Sequence, residues 1–429
     1  MKTQVRLLFS IIFLIPSLAW AEDCVECHRQ TTPSIVTDWL ASKHSGQGIS
    51  CENCHGKDHV TKEDVANAKL PLPETCGTCH NKQLTQFKSG KHSLAWAAVK
   101  IMPPTHQLPM AQTWGTKGCA ACHKVGIKTE DDIREMKTHG PGYGVASCDA
   151  CHTRHMFSAE EARQPQACQS CHSGSESPHW EMYSASKHGI RAQLKQNGKL
   201  PETASAPTCQ TCHMQQGNHE VRTAWGYLAI RLPISGDAED NQWKEDQQVI
   251  LRALGLMDAD GKYTERQNII KAADVARLSK EEWQVERDKM VRTCNECHSN
   301  AFSTTQLKQG DEMVKQADHL LADALRIIAG LYKDGILEKP PGQIDVFPDL
   351  LTVHDAPRTP IEQKLFTMFL KHRTRAIQGT FHNNADYALW QGWAEMVQDL
   401  TQIKNLAQAL RNAHSQKAES GSKKSDNPS

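Results

Sequence analysis

None of the sixteen cysteines in this 429-residue chain stands alone. All of them fall into eight Cys-x-x-Cys-His units: Cys24/Cys27/His28, Cys51/Cys54/His55, Cys76/Cys79/His80, Cys119/Cys122/His123, Cys148/Cys151/His152, Cys168/Cys171/His172, Cys209/Cys212/His213 and Cys294/Cys297/His298. Disulfides and zinc sites also use cysteine pairs, but neither requires a histidine directly after the second cysteine. Covalent c-type haem does, because two thioethers fix the porphyrin edge while the adjacent imidazole ligates the iron. The expectation is therefore eight covalently attached haems, with these sixteen sulfurs as tethers and these eight imidazoles as proximal ligands.

Such a cargo explains an otherwise lean composition. Only 38% of residues are hydrophobic and mean hydropathy is −0.58, so eight porphyrins would supply much of the apolar interior. Acidic and basic residues balance at 49 each, which gives no sign of nucleic acid or an anionic membrane as partner. Residues 1–21 carry Lys2 and Arg6, an apolar run from Leu7 to Trp20 and a small-x-small end at Ala19-Trp20-Ala21. This reads as a signal peptide cleaved after about Ala21, placing the mature chain in a periplasm.

A sixth iron ligand has to come from histidines outside the units. Three segments repeat one pattern, aromatic, two residues, Ser or Gly, then Lys-His: Trp39 to His44, Phe87 to His92 and Tyr183 to His188. On a helix the aromatic and the imidazole stand about 140° apart, so one can pack on a porphyrin while the other ligates an iron. His59, His155 and His219 form a second group, each a few residues beyond a unit. His155 is too close to His152 to cross the same haem, so each of this group should serve a neighbouring one. With His382 these make seven distal candidates for eight irons. Surface histidines are the alternative for each, and His106 or His139 could supply an eighth ligand. The fourth unit, at His123, has neither a repeated element nor a close following histidine, which marks it as the open iron.

The remaining chain reads as 22–300 for the haem-binding domain, 301–414 for a C-terminal antiparallel helical bundle and 415–429 for a disordered tail. Within the first, Met214 to Thr293 reads as an insertion packed over the haem array, with Trp225, Trp243 and Trp283 as core. In the second, Met313 to Ile328 follow helical spacing ended by Gly330 or Gly335, Pro360 starts another helix, and Trp393 to Leu410 mark a third.

The eight units, the run TRHMFSAEEARQPQACQSCHSG followed by WEMYSASKHG, GKHSLAWAA and ADYALWQGW together resemble the octahaem cytochromes of the hydroxylamine oxidoreductase family. That resemblance implies a mainly α fold wrapped around a haem array, a homotrimer, seven bis-histidine electron-transfer haems and a catalytic haem on the fourth unit, ligated by His123. It implies Glu176 and His179 as proton donors over that haem, although an Asp-His pair is expected there and His179 is displaced by two positions. It also puts Tyr387 near the place where oxidising members cross-link a tyrosine from an adjacent subunit's C-terminal helices to the haem, with Trp393 or Ala394 as the alternative matches for that position. The implied activity is reduction of nitrite or hydroxylamine towards ammonium, fed by a periplasmic or membrane-bound redox partner, cytochrome or quinone-linked. Hydroxylamine oxidation, or a conduit with every iron six-coordinate, are the alternatives.

Overall fold

A computed structural model describes residues 21–101, 120–139, 147–174, 177–223, 241–272, 279–343, 345–351 and 359–425. Cys119, Glu176, His106, Trp225 and the leader to residue 20 lie outside them. The fold is mainly α, and among the described residues the sole β pairing is the isolated bridge between Met257 and Tyr263.

Local sequence dictates how the binding units form. A Cys-x-x-Cys-His run wound into one helical turn sets the two cysteines and the histidine on one face. Cys51–His55 and Cys209–His213 are such turns, each started by a reciprocal cap, Ser50 with Asn53 and Thr208 with Thr211. Short helices of this kind do not stand unaided. They need what they enclose.

The apolar core lies elsewhere. The long helix Asn300–Lys333 is capped by Ser299, whose hydroxyl accepts from Phe302 N, and it runs past Gly330 to end before Gly335, where a φ of +68° suits glycine. Leu321, Leu325, Ile328 and Leu331 on its buried face meet Leu365, Phe369, Ile377, Met396 and Ile403 from two later segments. One is continuous from Pro360 to Phe381, with a π-helical stretch at Met368–Arg373. The other starts at Ala385, passes a second π-helical stretch at Ala388–Trp393, and continues to Ser425. The two cross at Gly392, where a Cβ would come within 2.3 Å of Ala376 N, so only glycine fits.

Two expectations change here. The helix Asn241–Ala253 does not ride over the binding units: Ile250, Leu251, Leu254 and Leu256 enter the helical core and pack beside the long helix. Helical packing thus reaches back to about residue 241, while Leu254, Leu256, Ile269 and Ile270 turn one edge toward the cavity described below, as a segment packed over the haem array would. Residues 415–425 continue the last helix, because extending a formed helix through Gln, Lys, Ala and Glu costs little.

Polar ties fix the register of this body. Trp243 Nε1 donates to Asp318 at 3.0 Å, and the same carboxylate pairs with Arg373 at 2.7 Å, with side chains only 4% and 3% exposed. Asp246 meets Arg326 at 2.6 Å and His319 at 2.9 Å. Replacing Asp318 with alanine removes the buried counter-charge facing Arg373, which should cost about 3–5 kcal/mol. A clear fall in the thermal midpoint checks this; a midpoint within a degree of wild type would contradict it.

Candidate functional site

Opposite the helical body, the short helices surround a continuous cavity of about 3910 Å³. Most small-molecule pockets hold about 300–1,000 Å³, so this one is sized for several large planar groups. Cysteines and histidines of seven units line it, together with Trp39, Phe87 and Tyr183 of the repeated elements.

Imidazoles face one another in seven pairs, six of them across this space. Ring centroids lie 6.1 Å apart for His28 and His59, His44 and His80, His55 and His155, and His92 and His172. They lie 6.2 Å apart for His152 and His219 and for His188 and His298, and 6.3 Å apart for His213 and His382. A ligating nitrogen sits about 2 Å from its metal and the ring centre about 1 Å behind it. Two imidazoles on opposite faces of one ion therefore have centroids about 6 Å apart. The residues fit iron porphyrins held between paired histidines.

Each pair joins one histidine from a unit with one from outside the units, drawn from another stretch of chain. His44, which follows the first unit, faces the third; His92, which follows the third, faces the sixth; His188, which follows the sixth, faces the eighth. The repeated pattern has a local reason. Ser42 and Ser186 are N-caps whose hydroxyls accept from Ser45 N and Gly189 N, putting the histidine second in each new helix. The middle copy has Gly90 instead, because Val221 N lies 3.0 Å from where a Cβ would stand. That close approach, with Lys91 N donating to Val221 O at 3.2 Å, anchors the segment carrying His219.

Thiol neighbours order the units. Cys24 lies within electrostatic reach of Cys51, and Cys54 of Cys76 and Cys79. Cys76 adjoins Cys148, Cys151 adjoins Cys168 and Cys171, Cys168 adjoins Cys209, and Cys212 adjoins Cys294 and Cys297. The units thus run first, second, third, fifth, sixth, seventh, eighth. The fourth joins from the side: His123 Nδ1 lies 2.9 Å from Ala95 O, three residues beyond His92 of the sixth unit's pair. Among the described residues no imidazole stands opposite His123.

The other expected site residues take different places. His179 Nδ1 is 3.2 Å from His172 Nδ1 and 2.9 Å from Ser177 Oγ, and its ring lies 5.3 Å from His382. It backs the sixth unit's imidazole and touches the seventh's partner. The cause is covalent brevity: Trp180 N donates to His172 O at 2.8 Å, stapling this turn to the unit just before it. Burial foremost, with the charge of His382 and then His172, pushes His179 down to about 3. Burial likewise takes His172 and His213 to about 4. All three are held neutral, the form in which imidazole binds metal.

Tyr387 is half-buried, its N–H donating to Asn384 Oδ1 at 3.0 Å while Asn384 Nδ2 reaches Met182 O at 2.9 Å. Burial raises its hydroxyl pKa, with Arg375 opposing and Glu181 adding. It is not among the described residues lining its own chain's cavity. One buried group had no cue in the sequence. Lys128, 9% exposed, donates to the carbonyls of Gly126 (2.8 Å) and Lys124 and lies over the Trp96 ring; burial takes its ammonium down to about 8.

Comparisons with known proteins agree with this geometry. The family model described as seven times multi-haem cytochrome CxxCH matches residues 47–251 and 262–344, and that of cytochrome c554 and c-prime matches residues 15–56. A probable nitrite reductase-hydroxylamine oxidoreductase fusion protein of Kuenenia stuttgartiensis is 25% identical over 488 residues, spanning 91% of this chain and 52% of the relative. The C-type polyheme cytochrome OmcC of Geobacter sulfurreducens is 23% identical over 159 residues, 30% of this chain and 20% of that one. The chain thus spans about half, or less, of the curated relatives it matches. Among solved structures, a reducing HAO-like protein complex of Kuenenia stuttgartiensis matches with TM-score 0.67 and 24% identity, covering 93% of this chain and 87% of that one. A hypothetical multiheme protein matches with TM-score 0.65 and 19% identity over 92% and 96%.

Proposed function

This chain belongs to the multi-haem CxxCH cytochromes, and from that premise we propose a periplasmic octahaem oxidoreductase that reduces nitrite or hydroxylamine towards ammonium at the fourth unit. One observation carries the reading. Seven of the eight unit histidines have a second imidazole about 6 Å away, and His123 has none among the described residues. Haem c supplies one-electron redox chemistry and, where a face is open, a site for the nitrogen of a small substrate.

The chain's own residues do the rest. Ala95 O takes the Nδ1 proton of His123, which fixes the tautomer and directs Nε2 toward the metal position. His179 and Ser177 do the same for His172. Paired imidazoles close both faces of the other seven positions to substrate and leave them to carry electrons. Reduction also consumes protons, and Glu176 is the residue assigned to deliver them at the fourth unit. A homotrimer, and a periplasmic or membrane-bound electron donor, complete the proposal.

Support for reduction over oxidation comes from the name of the structural neighbour, a reducing HAO-like complex. The test is one anaerobic assay run both ways on purified holoprotein. Reduced viologen with nitrite or hydroxylamine should turn over faster than hydroxylamine with an oxidised acceptor, and the reverse order would overturn the direction. Absence of high-spin haem and of cyanide or nitric oxide binding would replace the enzyme with a conduit.

A further inference from the structure

We infer that Asp64 is a positioning residue that, through His59, lowers the reduction potential of the first binding unit. His59 Nδ1 lies 2.7 Å from Asp64 Oδ1, and the opposite side of the ring faces His28. The same carboxylate oxygen accepts from Val60 N and Thr61 N at 3.0 Å each, while Asp64 N donates to Thr61 O at 3.3 Å. The segment His59–Asp64 is thus closed on its own carboxylate, which is aimed at the ring and does not wait on any ligand to be set there.

No other imidazole of the seven pairs has such a partner among the described residues. His28 meets the Thr32 hydroxyl at 2.7 Å, His55 the Lys69 carbonyl at 3.0 Å, His219 the Gly217 carbonyl and His382 the Gln378 carbonyl at 2.8 Å. A carboxylate draws the Nδ1 proton harder than a neutral oxygen does. The ring gains imidazolate character, becomes a stronger donor to the metal and favours its oxidised state. The two backbone N–H groups share Oδ1 and the carboxylate is one-quarter exposed, so the pull is moderated but keeps its sign. The first unit ends the series traced by the thiols, and Cys27 there is exposed. Asp64 therefore acts on the terminal member.

The inference rests on His28 and His59 being the two ligands of that unit. The experiment is a potentiometric titration of holoprotein, followed optically and by electron paramagnetic resonance. In Asp64→Asn one midpoint should rise by about 59 mV or more, a tenfold change in that centre's equilibrium, with every low-spin signal kept; Asp64→Glu should stay close to wild type. Unchanged midpoints in Asp64→Asn, or a new high-spin centre marking a merely structural prop, would overturn it. His59→Ala separates the premise: it should create one high-spin centre, and if none forms the ligand assignment itself fails.

Discussion

Replacement of His123 by glycine should abolish turnover in both directions while leaving the low-spin haem spectrum nearly intact. The expected loss is roughly 10³-fold or more, about 4 kcal/mol of transition-state stabilisation, because in the proposed function this residue holds the metal position open to substrate. Its imidazole is fixed by Ala95 O, and the seven pairs involve other residues of the chain. The variant should therefore lose at most one porphyrin by mass spectrometry and keep its helical content. Turnover within tenfold of wild type would show that substrate reacts at another unit.

Production of the chain without haem attachment should leave residues 21–223 unfolded and the helical body from 241 onward largely folded. The reason is where the apolar core sits. Among the described residues before 241 the buried apolar side chains are Val36, Trp96, Ala120, Met182 and Tyr183, whereas the continuous cluster runs from Ile250 to Ala407. A porphyrin buries more than the roughly 200 Å² of an aromatic side chain, so each contributes above about 5 kcal/mol at about 25 cal/mol per Å². Filling the cavity thus outweighs anything the short capped helices offer. Hydrogen exchange checks this: amides of Cys51–His55 and Cys209–His213 should exchange at coil rates, while those of Asn300–Lys333 stay protected. Protection across both regions would mean that the protein part folds without its cargo.

Chemistry that depends on immediate neighbours was legible in the sequence. The cysteine spacing identified the units, and the threefold aromatic and Lys-His pattern selected His44, His92 and His188, whose helix-start geometry is set by the preceding Ser or Gly. Which unit each imidazole faces was not legible, because the partners come from distant segments and only tertiary packing decides between them. The contact of His179 with His382 was equally hidden, because only a backbone bond from Trp180 to His172, seen in the fold, sets that turn beside the unit it follows. The segment Asn241–Ala253 misled through its surface, since Gln, Lys and Glu outnumber the few apolar residues that dock it on the long helix. Asp64 and Lys128 are set by a folded loop and a buried turn, neither of which leaves a periodic trace.

The crossed pairing of the histidines also sets a timetable for biogenesis. His382 faces His213, so the seventh centre stays half-built until the last helical hairpin has been synthesised and has closed back over the earlier chain. A chain ending before that point would leave His213 without its facing imidazole.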